Sequence, residues 1–276
     1  MTAPLDHPWN VSVAEAVDIQ RRLRDHVIPH PPPGFDPRHA AGADLSMSLG
    51  SDLAYAGIVV VDMISFATGE EVGLEAPLRF PYVPGLLTFR ELPPILDAWR
   101  RLTTRPDVII FDGAGYAHPR RFGLACHGGV ALGVPSIGCA KSLLVGHHGA
   151  LGGERGATAD IVDRGAVIGR AVRTRRGVKP LYISIGHLMD LDTAVDIVLR
   201  LCVGYREPET TRRTHQFVNR LRRDAALEPG DGRDATARDA PGAPGIHPGR
   251  EGQTRCETSG TAETSDLRTA PDIAGQ

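Results

Sequence analysis

The chain has 276 residues, of which 41% are hydrophobic and 23% charged, with a net charge of −2; this fits a soluble globular protein of one large or two small domains. No apolar run is long enough to span a bilayer, and MTAPLDHPWN lacks the basic start and apolar core of a signal peptide. A cytoplasmic protein without membrane contact, and a monomer, is the expectation. Cys126, Cys139, Cys202 and Cys256 show no close pairing, which argues against a zinc site or disulfide framework. Lys141 and Lys179 are the only lysines, and from Glu228 onward the chain has 9 acidic and 5 basic residues. The remainder is therefore slightly basic, and any patch that grips a polyanion must be local.

In chain order, Ser12 and Glu15 have capping-box spacing, and Val13, Val17, Leu23 and Val27 repeat at roughly helical intervals. Three prolines between His30 and Gly34 stop this helix. AGADLSM (Ala41 to Met47) opens a first strand with Asp44 inside it. AGIVVVD (Ala56 to Asp62) is a second, and a third runs through Leu74 to Leu78. Short connections predict an antiparallel meander. Pro81 and Pro84 forbid regular structure in the following segment, which should be a stiff loop holding Tyr82 outward; a core tyrosine in a proline turn is the plainer alternative. Leu92, Ile95, Leu96, Trp99 and Leu102 mark a helical face, with Pro93 and Pro94 tolerated in its first turn. Glu91 then falls at a helix N-terminus, where offsetting the dipole is role enough.

The most informative stretch is VIIFDGAGYAHPRR, Val108 to Arg121. Four apolar residues read as a buried strand, with Asp112 at its end, then a glycine turn that permits bending and close approach, then a cationic patch. A metal that must meet a phosphate suits this pattern, and an ordinary strand-to-helix turn with Asp112 as its cap suits it equally. A helix over Phe122 to Leu132 and a strand over Val134 to Gly138 follow. Alternation from Ala166 to Arg173, a turn near Arg176-Gly177 and Leu181 to Ile185 read as a hairpin, made basic by Arg170, Arg173, Arg175, Arg176 and Lys179. That ribbon could track a phosphate backbone or simply be solvated. A last core helix carries Val195, Val198, Leu199 and Cys202, with Gly204 at its end. From about residue 226 the composition predicts a disordered acidic tail. Strands followed by strand–helix units imply an α/β or α+β fold with a mixed sheet. Asp44, Glu91 and Asp112 are too far apart for a local metal motif, yet could converge if the strands bearing Asp44 and Asp112 are neighbours. Magnesium favours such carboxylates with substrate phosphate.

Taken together, AGADLSM, PYVPGLLTFRE, DGAGYAHPRRFG, PSIGCAKSLL, RTRRGVKPLYIS, Gly186-His187 and GYREPETTRRTH, in that order, resemble the endonuclease V family of deoxyinosine 3′-endonucleases over about Gly42 to His215. The resemblance implies a single α/β domain over residues 1–225, with a ribonuclease-H-like mixed sheet flanked by helices, and a tail over 226–276. It implies a magnesium site at Asp44, Glu91 and Asp112, for which Mn2+ could substitute. His215 is implied near the metals, orienting water, where the plainer alternative is a surface histidine. Lys141 is implied close to the scissile phosphate. Tyr82, between Pro81 and Pro84, matches the wedge that enters the duplex, and Pro84, Gly85, Leu87, Gly113 and His118 match positions that contact the flipped base. The implied partner is DNA containing deoxyinosine, cut one nucleotide beyond the lesion on its 3′ side to leave a 3′-hydroxyl and a 5′-phosphate; inosine-containing RNA is a further partner among relatives.

Three departures from the family pattern stand out: Ala114 for a larger polar residue, Cys126-His127-Gly128-Gly129 in place of a Ser-His-apolar run, and Leu188 where arginine is common. Two other readings compete. Cys126 and His127 could act as nucleophile and base, although a buried cysteine is commoner. A non-cleaving protein that binds inosine or branched nucleic acid would keep wedge and pocket but should lack a metal acid, and all three acids are present.

Overall fold

The structure is a computed structural model that describes residues 7–48 and 52–227. Cys256 and nearly all of the expected acidic tail lie outside the described residues. No helix among the described residues is long and apolar enough to cross a membrane.

Helix α1 (Val13–Leu23) begins as the sequence predicts. The Ser12 hydroxyl accepts from the Glu15 amide at 3.3 Å, and the Glu15 carboxylate accepts from the Ser12 amide at 2.8 Å. Its inward face, however, is Ala16, Ile19, Gln20 and Leu23, while Val13 stays 47% exposed and Val27 lies beyond the helix in extended backbone. The polar Gln20 disguises that stripe in the sequence.

Strands β1 (His39–Met47), β2 (Leu53–Asp62) and β3 (Thr68–Pro77) form the predicted meander, β2 antiparallel to both neighbours. Helix α2 (Leu87–Arg101) follows, then β4 (Val108–Phe111), α3 (Leu124–Leu132) and β5 (Ser136–Ala140). The remaining elements are β6 (His147–His148), β7 (Thr158–Asp163), β8 (Ala166–Val172), β9 (Leu181–Ile185), α4 (Leu191–Leu201) and α5 (Glu209–Leu227). The nine strands among the described residues share one sheet in the order β3-β2-β1-β4-β5-β9-β8-β7-β6. Strands β1, β4 and β5 are parallel. With β2 and β3 antiparallel, the first five form a ribonuclease-H-like mixed sheet.

One face of that sheet packs on α2 and α3 through Ala41, Ala43, Ile58, Val60, Ile109 and Phe111, against Leu92, Ile95, Trp99 and Leu124. The other face meets α4 through Val108, Ile110, Ile137 and Ile183 and meets α5 through Val59 and Val61. Alternate residues of each strand serve opposite layers, as the pleat requires.

Four expectations are corrected. Helix α2 starts five residues earlier than Leu92, at Leu87, so Pro93 and Pro94 lie inside it rather than in its first turn. They remove two intrahelical donors, a loss offset by the burial of Leu92, Ile95, Ala98 and Trp99 on the sheet. Strand β5 starts two residues later than Val134. Strands β6 and β7 went unanticipated, and the last core helix is α5, not α4.

Helix α5 lies directly on backbone. A Cβ on Gly42 would come within 2.5 Å of the Thr210 carbonyl carbon, one on Gly57 within 2.6 Å of Val218, and one on Gly73 within 2.3 Å of Leu221. These glycines, one each on β1, β2 and β3, form a bare lane that seats α5 and fixes His215 against the strand bearing Asp44.

Candidate active site

Register brings two acids together. Strands β1 and β4 pair in parallel up to Ala43 opposite Phe111, so Asp44 and Asp112 follow at the same level on adjacent chains. Glu91 reaches them from α2. The three feel one another strongly. Burial and then the Asp112 charge raise the Asp44 pKa, partly offset by His215 and the Leu45 amide. Burial, followed by the charges of Asp44 and Asp112, pushes Glu91 up to about 8, and only the Arg90 charge pulls it back. Asp44 sits inside β1, and Glu91 lies one turn inside α2 rather than at its N-terminus.

Cations and donors occupy part of this cluster. Lys141, just past β5, donates from Nζ to Asp112 Oδ2 at 2.7 Å and lies 3.1 Å from Glu207 Oε2. Burial would lower its pKa, but the hydrogen bond and charge of Asp112, joined by Glu207, raise it above the ordinary lysine value. His215 Nδ1 is 2.8 Å from Asp44 Oδ2, and the Leu45 amide donates to Asp44 Oδ1 at 2.8 Å. Among the described residues, no group of three or more His, Cys, Asp or Glu side chains stands in position to hold a metal ion. Their donor chemistry still fits a hard divalent ion. Three carboxylates are held in mutual repulsion, and Glu91 has no hydrogen bond to offset its shift.

Burial of Glu91, with that repulsion added, has a measurable consequence. Without a divalent ion, folded Glu91 holds a proton between its ordinary pKa of 4.5 and about 8, whereas unfolded Glu91 has released it. Stability should therefore fall as pH rises through this window and level off above it. Denaturant titrations in EDTA should show the fall, and Glu91→Gln should flatten it and be the more stable protein at pH 8. An equal slope in the variant would mean Glu91 is not under this strain.

A recess of about 120 Å³, reached along the chain from Asp112 through Gly113 to Ala114, is lined by Tyr82, Pro84, Gly85, Leu87, Thr88, Ala114, Leu144 and others. Tyr82 stands 69% exposed on the loop between β3 and α2, as predicted. The loop is pinned at the Gly85 carbonyl, which accepts from His118 Nε2 (2.9 Å), Arg120 Nη2 (2.6 Å) and Gln20 Nε2 (3.1 Å). Gly85 has φ of +79°, a conformation glycine adopts freely. His118 is thus a buried brace: its Nδ1 accepts from the Arg120 amide at 3.2 Å, and burial lowers its pKa to about 4. Gly113 packs beside Leu124, and its neighbour Ala114 lines the recess. Gly115 turns inward, where a Cβ would lie 2.1 Å from the Ile185 carbonyl oxygen, so this glycine serves packing rather than ligand approach.

Sequence reasoning missed Gln20, Thr88, Leu144 and Glu207. The fully buried Gln20, which also bonds the Phe122 carbonyl at 3.0 Å, left no signal, because an amide on a helix face reads as surface. The basic ribbon is largely committed within the protein, with Arg170 on Asp160 and Asp192, Arg176 on Glu154, and Arg175 on the Gly204 carbonyl. A Cys126–His127 catalytic pair is ruled out. Cys126 is buried, with its thiol pushed up by burial. His127 turns away to His7 and Thr88, inside an aromatic cluster with Trp9, Phe89 and Phe122.

The fold is a mixed sheet flanked by helices, of ribonuclease-H-like architecture, with three carboxylates close to its central strands. The Endonuclease V family model matches residues 21–216. The chain is 59% identical over 215 residues to Endonuclease V of Myxococcus xanthus, covering 78% of this chain and 92% of that one. The crystal structure of Endonuclease V from Streptomyces avermitilis matches with a TM-score of 0.75 at 40% identity, covering 82% of this chain and 100% of that one. Endonuclease V of Ciona intestinalis, in complex with a 24mer DNA containing an inosine followed by a ribo-adenosine, matches with a TM-score of 0.69 at 26% identity, over 77% and 98% of the two chains. The chain belongs to the Endonuclease V family.

Proposed function

We propose that this protein hydrolyses a phosphodiester bond of DNA on the 3′ side of deoxyinosine, one nucleotide beyond the lesion, leaving a 3′-hydroxyl and a 5′-phosphate. The observation that carries this reading is the continuity of Asp112-Gly113-Ala114: one turn joins the three-acid cluster to the recess behind Tyr82. A base held in that recess leaves its own strand running toward the carboxylates.

Tyr82, exposed on a loop braced by Gln20, His118 and Arg120, would enter the stack beside the lesion. Such insertion costs a few kcal/mol, least at a damaged pair, and a pre-braced loop adds little ordering cost. The recess then takes the hypoxanthine between Gly85, Leu87, Ala114 and Leu144. Asp44, Glu91 and Asp112 would hold Mg2+, or Mn2+ in its place. When bound, the ion acts as a Lewis acid toward the phosphoryl group and promotes ionisation of water. Lys141 contributes a point charge beside the oxygen on which negative charge develops. His215, fixed by Asp44 and by the seating of α5, orients the attacking water.

A nicking assay on a deoxyinosine duplex tests the reading. Magnesium should support a single cut one nucleotide 3′ of the lesion, EDTA should abolish it, and an adenine control should stay intact. Lesion binding without any cut would instead favour the non-cleaving binder. RNA is the runner-up substrate, favoured by the ribo-adenosine after the inosine in the Ciona complex; faster cutting of inosine-containing RNA in the same assay would replace DNA as the preferred strand.

A further inference from the structure

Lys141 has two carboxylate partners, not one. Its Nζ lies 2.7 Å from Asp112 Oδ2 and 3.1 Å from Glu207 Oε2. The first oxygen is one of the two through which Asp112 would bind a divalent ion. An ammonium there competes with the ion twice, by occupying a ligand atom and by repelling a like charge. With Asp112 as its sole partner, the lysine could yield that oxygen only by giving up its ion pair.

Glu207 is delivered to this spot by a rigid clamp. Its neighbour Arg206 donates from Nη2 to the carbonyls of Lys141 (3.2 Å) and Pro180 (2.8 Å), and from Nε to that of Lys179 (2.9 Å). The Arg206 carbonyl accepts from the buried Thr174 hydroxyl at 2.6 Å. Pro208 follows and restricts the Glu207 backbone. Residues 206 and 207 therefore grip Lys141 at both ends, one by its carbonyl and the other by its ammonium. The next acid, Glu209, is already engaged by Arg212 and Arg213.

We propose that Glu207 is a positioning residue for Lys141: it holds the ammonium beside the site while Asp112 Oδ2 passes from lysine to a divalent ion. The inference rests on the magnesium assignment of Asp44, Glu91 and Asp112. It makes Glu207 a determinant of metal affinity that acts through the lysine rather than as a ligand.

Calorimetric titration of the full-length protein with MgCl2, without nucleic acid, tests this in a double-mutant cycle. Glu207→Gln should weaken Mg2+ binding by about threefold to fivefold, the size of a half-exposed ion pair, and Glu207→Asp should recover part of that loss. Lys141→Met should bind Mg2+ more tightly than the wild type. Adding Glu207→Gln to Lys141→Met should then cost nothing further. The same penalty in both backgrounds would mean that Glu207 acts directly on the ion, and no penalty in the wild-type background would mean that it does not act; either overturns the proposal. A wild type that binds no Mg2+ fails differently, because it removes the metal site itself.

Discussion

Asp112→Asn should lose strand cleavage by roughly 10³-fold while still binding a deoxyinosine duplex, because metal-assisted charge stabilisation is worth several kcal/mol. The substitution keeps the shape of the turn after β4 and removes one negative charge from a cluster in which Glu91 is already driven up to about 8. Relief of the repulsion should offset the loss of the Asp112 ion pair with Lys141, so the variant should melt close to wild type in EDTA, and its thermal midpoint should no longer rise with MgCl2. Single-turnover nicking, a binding titration and melting curves with and without magnesium separate these effects. Normal cutting by the variant would end the assignment of Asp112 to the metal site. A drop in its EDTA melting point would point to a structural role instead.

The second large effect is expected at Tyr82. Its side chain is 69% exposed and the loop beneath it is held by bonds to the Gly85 carbonyl, none of which involves the tyrosine ring. Tyr82→Ala should leave the melting temperature unchanged. Loss of one stacking partner is worth about 1–3 kcal/mol, so the preference for inosine over adenine duplexes should drop by one to two orders of magnitude, roughly tenfold to a hundredfold. The loss should appear mainly in KM, since Tyr82 lies apart from the acids. Unaltered discrimination between the two bases would remove the wedge role.

Much of the framework is legible in the sequence because local and global signals agree there. VIIF between Pro106-Asp107 and Asp112-Gly113 can only be a short buried strand, and Val108–Phe111 is the observed element. The capping box starts α1 as read. Where tertiary packing overrides a local rule, the reading fails. Pro93 and Pro94 suggest a helix start, yet α2 runs through both because its apolar face is buried. The β7–β8 hairpin turns at Arg164-Gly165, both at positive φ; its geometry is that of a tight hairpin, but arginine is not the residue that announces one. Asp44, Glu91 and Asp112 are singled out by family motifs, whereas their meeting depends on the pairing of Ala43 with Phe111, which no spacing reveals. Glu207 and Gln20 stayed hidden for opposite reasons: one sits in a charged run that looks solvated, the other on a helix face where an amide looks like surface.

The glycine lane under α5 also bears on the order in which the molecule becomes complete. Asp44 and His215 are bonded across 171 positions of chain, and the helix carrying the histidine is the last of the described elements to be synthesised. Until it arrives, Gly42, Gly57 and Gly73 present uncovered sheet backbone, and His215 has not reached Asp44. A nascent polypeptide that has not yet released α5, or one clipped ahead of Glu209, therefore lacks the histidine partner of Asp44 and leaves the three glycines bare.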